Sequence, residues 1–234
     1  MFDSLLRATN ILDYEHPAIK GLISRRGWQQ LPDHEKIGAA YDYVRDEVKF
    51  GYNKSDDLKA SEVLREGIGQ CNTKANLLMA LLRALGIPCR LHGFTIDKKL
   101  QKGAVTGVFY LVSPKSIIHS WVEIYYGKNW INLEGFILDK PYLSKLQKKF
   151  HAANEPFCGY GVAISDFKSP PIEWRGTDTY IQKDGINRDL GIFETPDEFY
   201  EKMGTNLRGL KRLLFVTIVR RIMTDNVSRI RDGK

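Results

Sequence analysis

The fold is decided by residues 69–88, which read GQCNTKANLLMALLRALGIP. Apolar side chains in this stretch fall at i, i+3, i+4, i+7 and i+10, the spacing of one helix face, and they are Ala75, Leu78, Met79, Leu82 and Leu85. Further leucines widen this face, so we expect a largely buried helix over residues 72–85. Gly86 and Pro88 are typical of the end of a helix.

After this helix the sequence takes on the pattern of strands. Segments rich in Val, Ile, Phe, Tyr and Trp are separated by turn residues and predict four strands over 89–97, 104–112, 117–126 and 129–134. The tetrapeptide Tyr126-Gly127-Lys128-Asn129 fits a tight hairpin turn. Helices followed by an antiparallel meander predict an α+β fold, with one buried helix packed on the sheet.

The chain divides into three predicted parts. Residues 1–150 form a core that begins with helices and ends with a predicted helix over 137–150. Residues 151–196 are polar, contain four of the nine prolines and show no clear period, which predicts a loop-rich segment serving as a wall of the cleft. Residues 197–234 predict a basic C-terminal helical extension, either within the same domain or appended to it.

Charge is distributed unevenly along the chain. The formal net charge is +7, and from residue 207 onward basic residues outnumber acidic ones by six. The high isoelectric point therefore describes the C-terminal tail, and we expect no nucleic-acid partner. The apolar run 213–219 lies between basic pairs and fits either a helix in contact with an anionic membrane or a buried helix. We favour burial, because the run lacks a polar face.

The spacing of the cysteines and the N-terminal sequence together predict the cellular compartment of the protein. Cys71, Cys89 and Cys158 are scattered, and no signal peptide or membrane-spanning run is recognisable, so a reducing cytoplasm is expected. The sequence contains no CxxC pair and no Gly-rich phosphate loop. We therefore expect neither a metal site nor a cofactor.

Cys71 stands at the start of the predicted buried helix, after the stretch Gly67-Ile68-Gly69-Gln70. The first N–H groups of a helix are unpaired and carry partial positive charge, which favours a thiolate over a thiol. Cysteines in this position can act as nucleophiles near neutral pH. The alternative is a small structural residue in a helix-start loop, and position alone does not decide between the two.

A histidine in the following sheet favours the nucleophile. Alternation along the strand over 117–126, together with the predicted hairpin register, puts His119, Asn132 and Glu134 on one face of the sheet within diagonal reach. A histidine that has an acid or amide behind it and faces a helix-terminal cysteine fits nucleophilic acyl transfer. In this interpretation Cys71 is the nucleophile, His119 is the base, and the third group fixes the tautomer of the imidazole.

Two motifs in this order resemble the transglutaminase-like superfamily. The first joins Gly69-Gln70-Cys71 at the helix start to Arg83-Ala84-Leu85-Gly86-Ile87-Pro88-Cys89-Arg90 at its end. The second consists of His119-Ser120-Trp121-Val122-Glu123 followed by Trp130-Ile131-Asn132-Leu133-Glu134. Together the motifs place the resemblance over roughly residues 35–136.

The resemblance implies a papain-like fold with a Cys-His-Asp triad and acyl-thioester chemistry. Carried over by position, Cys71 is the nucleophile, His119 is the base, and Glu134 occupies the place of the acid. The family usually has Asp at that place, so the longer carboxylate of Glu134 must fold back or the strand must shift. Asn132 could then orient the His119 imidazole as a neutral group in place of the acid. A weakened or lost activity is a further alternative.

The predicted function is that of a thiol-dependent enzyme that cleaves or exchanges an amide bond through a Cys71 thioester, with a peptide or small amide as substrate. Hydrolysis is the first choice, because water is the default acceptor and nothing in the sequence marks an amine site. The alternatives are transfer to an amine, as in a transglutaminase, and a catalytically silent scaffold that binds peptides or partner proteins. The Cys71 N–H is the expected first oxyanion donor, and Tyr52, Trp28 and Gln70 are candidates for a second.

Overall fold

A computed structural model of the chain describes residues 2–151, 156–206 and 215–233. The α-helices in these ranges are α1 (Pro17–Arg26), α2 (Asp33–Asp42), α3 (Ala60–Glu66), α4 (Cys71–Ala84), α5 (Gly107–Val112), α6 (Lys140–Lys149), α7 (Pro196–Met203) and α8 (Arg220–Asp232). The strands are β1 (Lys49–Phe50), β2 (Ile68–Gly69), β3 (Cys89–Asp97), β4 (Ser116–Tyr126), β5 (Asn129–Leu133), β6 (Phe157–Gly159), β7 (Val162–Ile164) and β8 (Ile186–Phe193). Mixed helices and an antiparallel sheet confirm the predicted α+β class.

The main sheet has four antiparallel strands in the order β5-β4-β3-β8. The β4–β5 hairpin pairs Tyr126 with Asn129 and Glu123 with Asn132, which is the predicted register. Helix α4 packs against β4, and residues 72–83 of the helix are all buried. The predicted packing of one buried helix on an antiparallel sheet is therefore confirmed.

Both ends of α4 are fixed by local contacts. At its start, the backbone N–H of Gln70 donates to Oγ1 of Thr73 at 3.1 Å, which is one half of a capping box. At its end, Gly86 adopts a φ of +80°, which a glycine tolerates without steric cost. The N–H of Ile87 then donates to the carbonyl of Leu82 at 2.9 Å and closes the last turn.

The prediction of a strand over residues 104–112 was wrong, because residues 107–112 form helix α5. Each strand of a sheet has two edges, and both edges of β3 are already paired, with β4 on one side and β8 on the other. The two edges of β4 are likewise taken by β3 and β5. A short apolar run fits a helix as well as a strand, so periodicity alone could not assign it.

The segment predicted as loop-rich, residues 151–196, supplies more regular structure than its sequence suggested. Strand β8 pairs with β3 and forms one edge of the main sheet, with irregularities in register at Gly93/Phe94 and Thr95/Ile96. Strands β6 and β7 form a separate two-stranded sheet. The edge position and the irregular register explain why β8 lacks the clean apolar alternation of a strand with one buried face.

The C-terminal helix α8 packs against α6 through a buried ion pair. The Arg231 guanidinium donates to both carboxylate oxygens of Asp139, at 2.9 and 2.8 Å, and to the carbonyl of Phe50 at 2.7 Å. Val219, Met223 and Val227 are buried. In the apolar run 213–219, Val219 is buried, Phe215 and Val216 are half-buried and Thr217 is exposed, so burial of the whole run stays a prediction. Residues 213 and 214 of the apolar run lie outside the described ranges. Within those ranges, no helix combines the length and hydropathy needed to cross a bilayer.

Candidate active site

Cys71 is the first residue of α4, so its N–H is among those without a partner inside the helix. Its side chain is half-buried and lines a cleft of about 470 Å³. The backbone segment that leads to Cys71 is tightly packed. A Cβ at position 69 would lie 2.7 Å from Cγ of Lys74 and 2.9 Å from Oγ1 of Thr73. Gly69 is therefore required for the chain to reach the helix start at this angle.

His119 lies on β4 and is fully buried. Its Nε2 atom lies 2.9 Å from Oε1 of Glu134, while Nδ1 makes no regular hydrogen bond within the described residues. Burial lowers the pKa of the imidazole, but the charge of Cys71, and then the hydrogen bond and charge of Glu134, outweigh it and raise the pKa to about 10. Since Glu134 occupies Nε2, Nδ1 is the nitrogen left for Cys71. The site thus favours an imidazolium at neutral pH.

Glu134 follows the last residue of β5 and is also fully buried. Its second carboxylate oxygen, Oε2, accepts hydrogen bonds from the N–H groups of Ile181 and Gln182, at 2.9 and 3.0 Å. Its own N–H donates to the carbonyl of Thr179 at 3.0 Å. The longer side chain is accommodated because residues 179–182 pass beside the end of β5 and hold the carboxylate in place.

Asn132, the predicted neutral orienter, has other partners. Its Nδ2 atom donates to Oδ2 of Asp178 at 3.1 Å and to the hydroxyl of Tyr180 at 2.9 Å. The structure gives the histidine contact to Glu134 instead.

A network of amides around the buried Asp56 joins the helix that carries Cys71 to the strand that carries His119. The Nδ2 atom of Asn72 donates to Oδ1 of Asp56 and to the carbonyl of Ile118, both at 3.1 Å. Asn206 donates to Oδ2 of Asp56, and its own Oδ1 accepts from the N–H of Ile118 at 2.7 Å. This network could not be predicted from the sequence, because its members come from separate segments with no recognisable spacing.

The three candidates for a second oxyanion donor are placed differently. Trp28 packs edge-on against Tyr43 and does not line the cleft. The Gln70 amide is engaged, because its Oε1 accepts from the N–H of Asn53 at 2.9 Å and its Nε2 donates to Asp56 at 3.3 Å. Tyr52 lines the cleft together with Cys71. Burial, and secondarily the charge of Cys71, raises the pKa of the Tyr52 phenol, so its hydroxyl keeps its proton.

The other two cysteines lie elsewhere, and all three are free thiols. Cys89 is buried, and burial raises the pKa of its thiol. Cys158 is exposed, and partial burial, followed by the charge of Asp97, raises the pKa of its thiol. In the part of the chain that the structure describes, no group of three or more His, Cys, Asp or Glu side chains is placed to hold a metal ion.

Comparison with known proteins identifies a family for the part of the chain that carries these residues. Residues 24–135 match the family model of the transglutaminase-like superfamily, a range that includes Cys71, His119 and Glu134. These residues form a transglutaminase-like domain. The remaining described elements of the chain, among them β8 and α8, lie outside the matched range.

Two further similarities concern parts of the chain. Part of the chain is similar to YebA of Bacillus subtilis (strain 168), an uncharacterized protein that is 30% identical over 110 residues, 43% of this chain. The chain spans only 15% of the length of that relative. A crystal structure from Cytophaga hutchinsonii, described as a "Putative Cysteine Protease", is 22% identical with a TM-score of 0.43, covering 59% of this chain and 43% of that one.

Proposed function

We propose that this transglutaminase-like domain is a thiol-dependent acyl-transfer enzyme that hydrolyses an amide or peptide bond through a Cys71 thioester. The observation that carries the proposal is the buried His119 imidazole, which is held by Glu134 on one nitrogen and interacts with Cys71. A cysteine, a histidine and an acid in this order are the parts that nucleophilic acyl transfer requires.

The three proposed residues act in sequence in the reaction. The Cys71 sulfur attacks the carbonyl carbon of the amide, and the carbon–nitrogen bond then breaks as the His119 imidazolium gives its proton to the leaving amine. Water, deprotonated by His119, attacks the resulting thioester and releases a carboxylic acid, which returns the sulfur to its starting state. Glu134 keeps the imidazole in one orientation and stabilises its charged form.

The developing oxyanion is proposed to be stabilised by two donors. The N–H of Cys71 stands at the start of α4 and is the first. The Tyr52 hydroxyl is the second, because Tyr52 lines the same cleft and the pKa of its phenol is raised, so the proton is available for donation.

A reducing compartment, the predicted cytoplasm, belongs to the same proposal. The three cysteines of the chain are all free thiols. The proposed chemistry needs Cys71 reduced, and reducing compartments keep thiols in this state.

Alkylation rates of the three cysteines test the site. With iodoacetamide at pH 6, we expect Cys71 to react at least about tenfold faster than the exposed Cys158, because thiolates and not thiols are alkylated. The advantage should disappear in His119→Ala and persist in His151→Ala, which removes an exposed histidine. Site-resolved mass spectrometry gives the rates, and equal rates at Cys71 and Cys158 would instead favour a silent scaffold.

Product analysis then separates hydrolysis from transfer. A peptide-amide library is incubated with the wild-type protein and with Cys71→Ala, in the presence and absence of a primary amine. We expect carboxylic acid products that depend on Cys71 and are little affected by the amine. An amide product formed with the added amine would identify a transglutaminase instead.

A further inference from the structure

The cleft that Cys71 lines is apolar over most of its wall. The apolar side chains include Phe50, Ile96, Leu100, Val105, Ile117 and Met223. Ile96, Leu100 and Ile117 also pack together in a small cluster of their own, separate from the main core. The volume of about 470 Å³ is within the range of pockets that enclose small ligands, roughly 300–1,000 Å³.

Among the described residues, none offers an unpaired charge to a substrate in the cleft. Among the described residues that line it, only Lys54 and Asp56 carry charged side chains. The Lys54 ammonium is paired with Glu62 at 3.0 Å. The Asp56 carboxylate accepts hydrogen bonds from Gln70, Asn72 and Asn206. A charged substrate group would therefore lose its hydration without gaining a partner.

One wall of the cleft comes from the C-terminal part of the chain and is fixed in place. Val219 and Met223 line the cleft, and both are buried. Next to them, Oγ1 of Thr224 accepts from the N–H of Tyr52 at 3.1 Å. One turn further on, Nδ2 of Asn226 donates to the carbonyls of residues 103 and 104, at 2.9 and 2.7 Å. The apolar wall is thus held to the segment that carries Tyr52.

We infer that the cleft binds a bulky apolar side chain, aromatic or branched aliphatic, on the acyl side of the amide that Cys71 attacks. The inference rests on the proposed function, since it names the substrate class of that site. Burial of such a side chain gains from the hydrophobic effect, while a charged group would lose its hydration without gaining a charged partner among the described residues.

A series of fluorogenic amides tests this specificity. N-acetylated Phe, Leu, Ala, Gln and Asp are each coupled through their carboxyl group to aminomethylcoumarin, and kcat/KM is measured for the wild-type protein. We expect Phe and Leu to exceed Ala by about 10- to 100-fold, from the free energy of burying the larger side chain. Asp should fall at or below Ala, and Gln should stay below Phe and Leu. Equal values for all five substrates, with turnover that depends on Cys71, would overturn the inference and leave the proposed function standing.

Two variants on α8 connect the preference to the wall. Met223→Lys puts a charge into the cleft, so the ratio of the Phe to the Ala substrate should fall at least about tenfold, since the charge opposes burial of an apolar group. Ile222→Lys places the same charge on the exposed neighbour, and the ratio should not change. Thermal unfolding of both variants reports whether they fold. An unchanged ratio in a folded Met223→Lys protein contradicts the inference.

A binding measurement covers the case in which none of the coumarin amides is cleaved. Calorimetry on the Cys71→Ala variant compares N-acetyl-phenylalaninamide with N-acetyl-aspartamide. Tighter binding of the phenylalanine probe by about tenfold or more supports the apolar cleft, and equal or reversed affinities overturn it. Failure of the proposed function is recognised separately, by a Cys71 that alkylates no faster than Cys158.

Discussion

Glu134 shows at the scale of a single residue how the site tolerates a side chain longer than the usual aspartate. One carboxylate oxygen reaches His119 at 2.9 Å, and the other accepts from the backbone N–H groups of Ile181 and Gln182. These contacts span the full length of the glutamate. An aspartate is one methylene shorter and cannot keep both sets of contacts without moving β5 or the segment 179–182.

We therefore expect Glu134→Asp to slow the proposed amide hydrolysis, although it introduces the residue that the family usually has. The kcat/KM for amide hydrolysis should fall by about 10- to 100-fold, which corresponds to roughly 1.4–2.7 kcal/mol of transition-state stabilisation. Asn132→Ala is the matched control and should retain the wild-type value, because Asn132 bonds to Asp178 and Tyr180. Wild-type activity in Glu134→Asp would show that the Glu134 contacts do not position His119.

The proposed catalytic residues could be predicted from the sequence because local patterns specify them. The helix start marks Cys71, and the hairpin register places Glu134 beside His119. Asp56 and Asn206, which connect the two halves of the site, could not be predicted, since they lie 150 positions apart and only tertiary packing joins them. The same holds for Gln182, whose N–H supports Glu134 from a segment without periodicity.

At the scale of the element, helix α4 combines an apolar stripe that its sequence predicts with a buried lysine that its sequence does not predict. Its apolar stripe was evident from the periodicity, and it is buried as expected. Lys74 is buried on the same helix, and its ammonium donates to the carbonyls of Arg45 and Ile137, at 3.1 and 3.0 Å. Lysine at a buried position contradicts the usual pattern, so no periodicity argument could place it inside.

Lys74 makes the stability of the fold depend on pH. Burial lowers the pKa of its ammonium from 10.5 to about 7, which the charges of Asp139 and Asp46 oppose only in part. Between pH 7 and 10.5 the unfolded chain therefore binds a proton that the folded chain lacks. Through this lysine, the free energy of unfolding rises with pH in that window, by at most about 1.4 kcal/mol per unit.

Lys74→Met should remove this contribution. In urea unfolding between pH 7 and 9.5, the slope of unfolding free energy against pH should be up to about 1.4 kcal/mol per unit more positive for the wild type than for the variant. Lys148→Met, which alters an exposed lysine, should keep the wild-type slope. Identical slopes for Lys74→Met and the wild type would mean that Lys74 keeps its proton in the folded chain.

Strand β4 could be predicted from the sequence, whereas strand β8 could not. Strand β4 lies inside the sheet, and a short turn closes its hairpin with β5. Both the strand and its register with β5 could therefore be predicted from the sequence. Strand β8 lies at the edge with irregular pairing to β3, and its sequence resembles a loop. Helix α5 was mistaken for a strand, because a short apolar run fits either element and periodicity alone does not separate them.

At the scale of the whole molecule, the C-terminal helix and the core are joined by buried charge. The Arg231 side chain is 10% exposed and the Asp139 side chain 1%, and the two form a bidentate pair. Asp139 also accepts from the N–H groups of Phe50 and Tyr142, at 2.9 and 3.0 Å. One carboxylate therefore connects α8, the start of α6 and the segment that leads to Tyr52 in the cleft.

Arg231→Met leaves the Asp139 carboxylate buried without its cation, and breaking such a pair costs about 3–5 kcal/mol. We expect the free energy of unfolding in urea to fall by an amount of this order at pH 7. Arg229→Met changes an exposed arginine on the same helix and should cost less than about 0.5 kcal/mol.

The pH dependence gives an independent measure of the same pair. Burial alone would raise the pKa of Asp139, but Arg231 and the backbone donors outweigh it and hold the pKa below its ordinary value of 3.8. The contribution of the pair is thus fully present above pH 3.8 and is lost as pH falls through the lower pKa of the folded chain. The stability difference between the wild type and Arg231→Met should therefore shrink in acid. A difference that stays constant down to pH 2, or a variant as stable as the wild type at pH 7, would show that α8 is held by its apolar contacts alone.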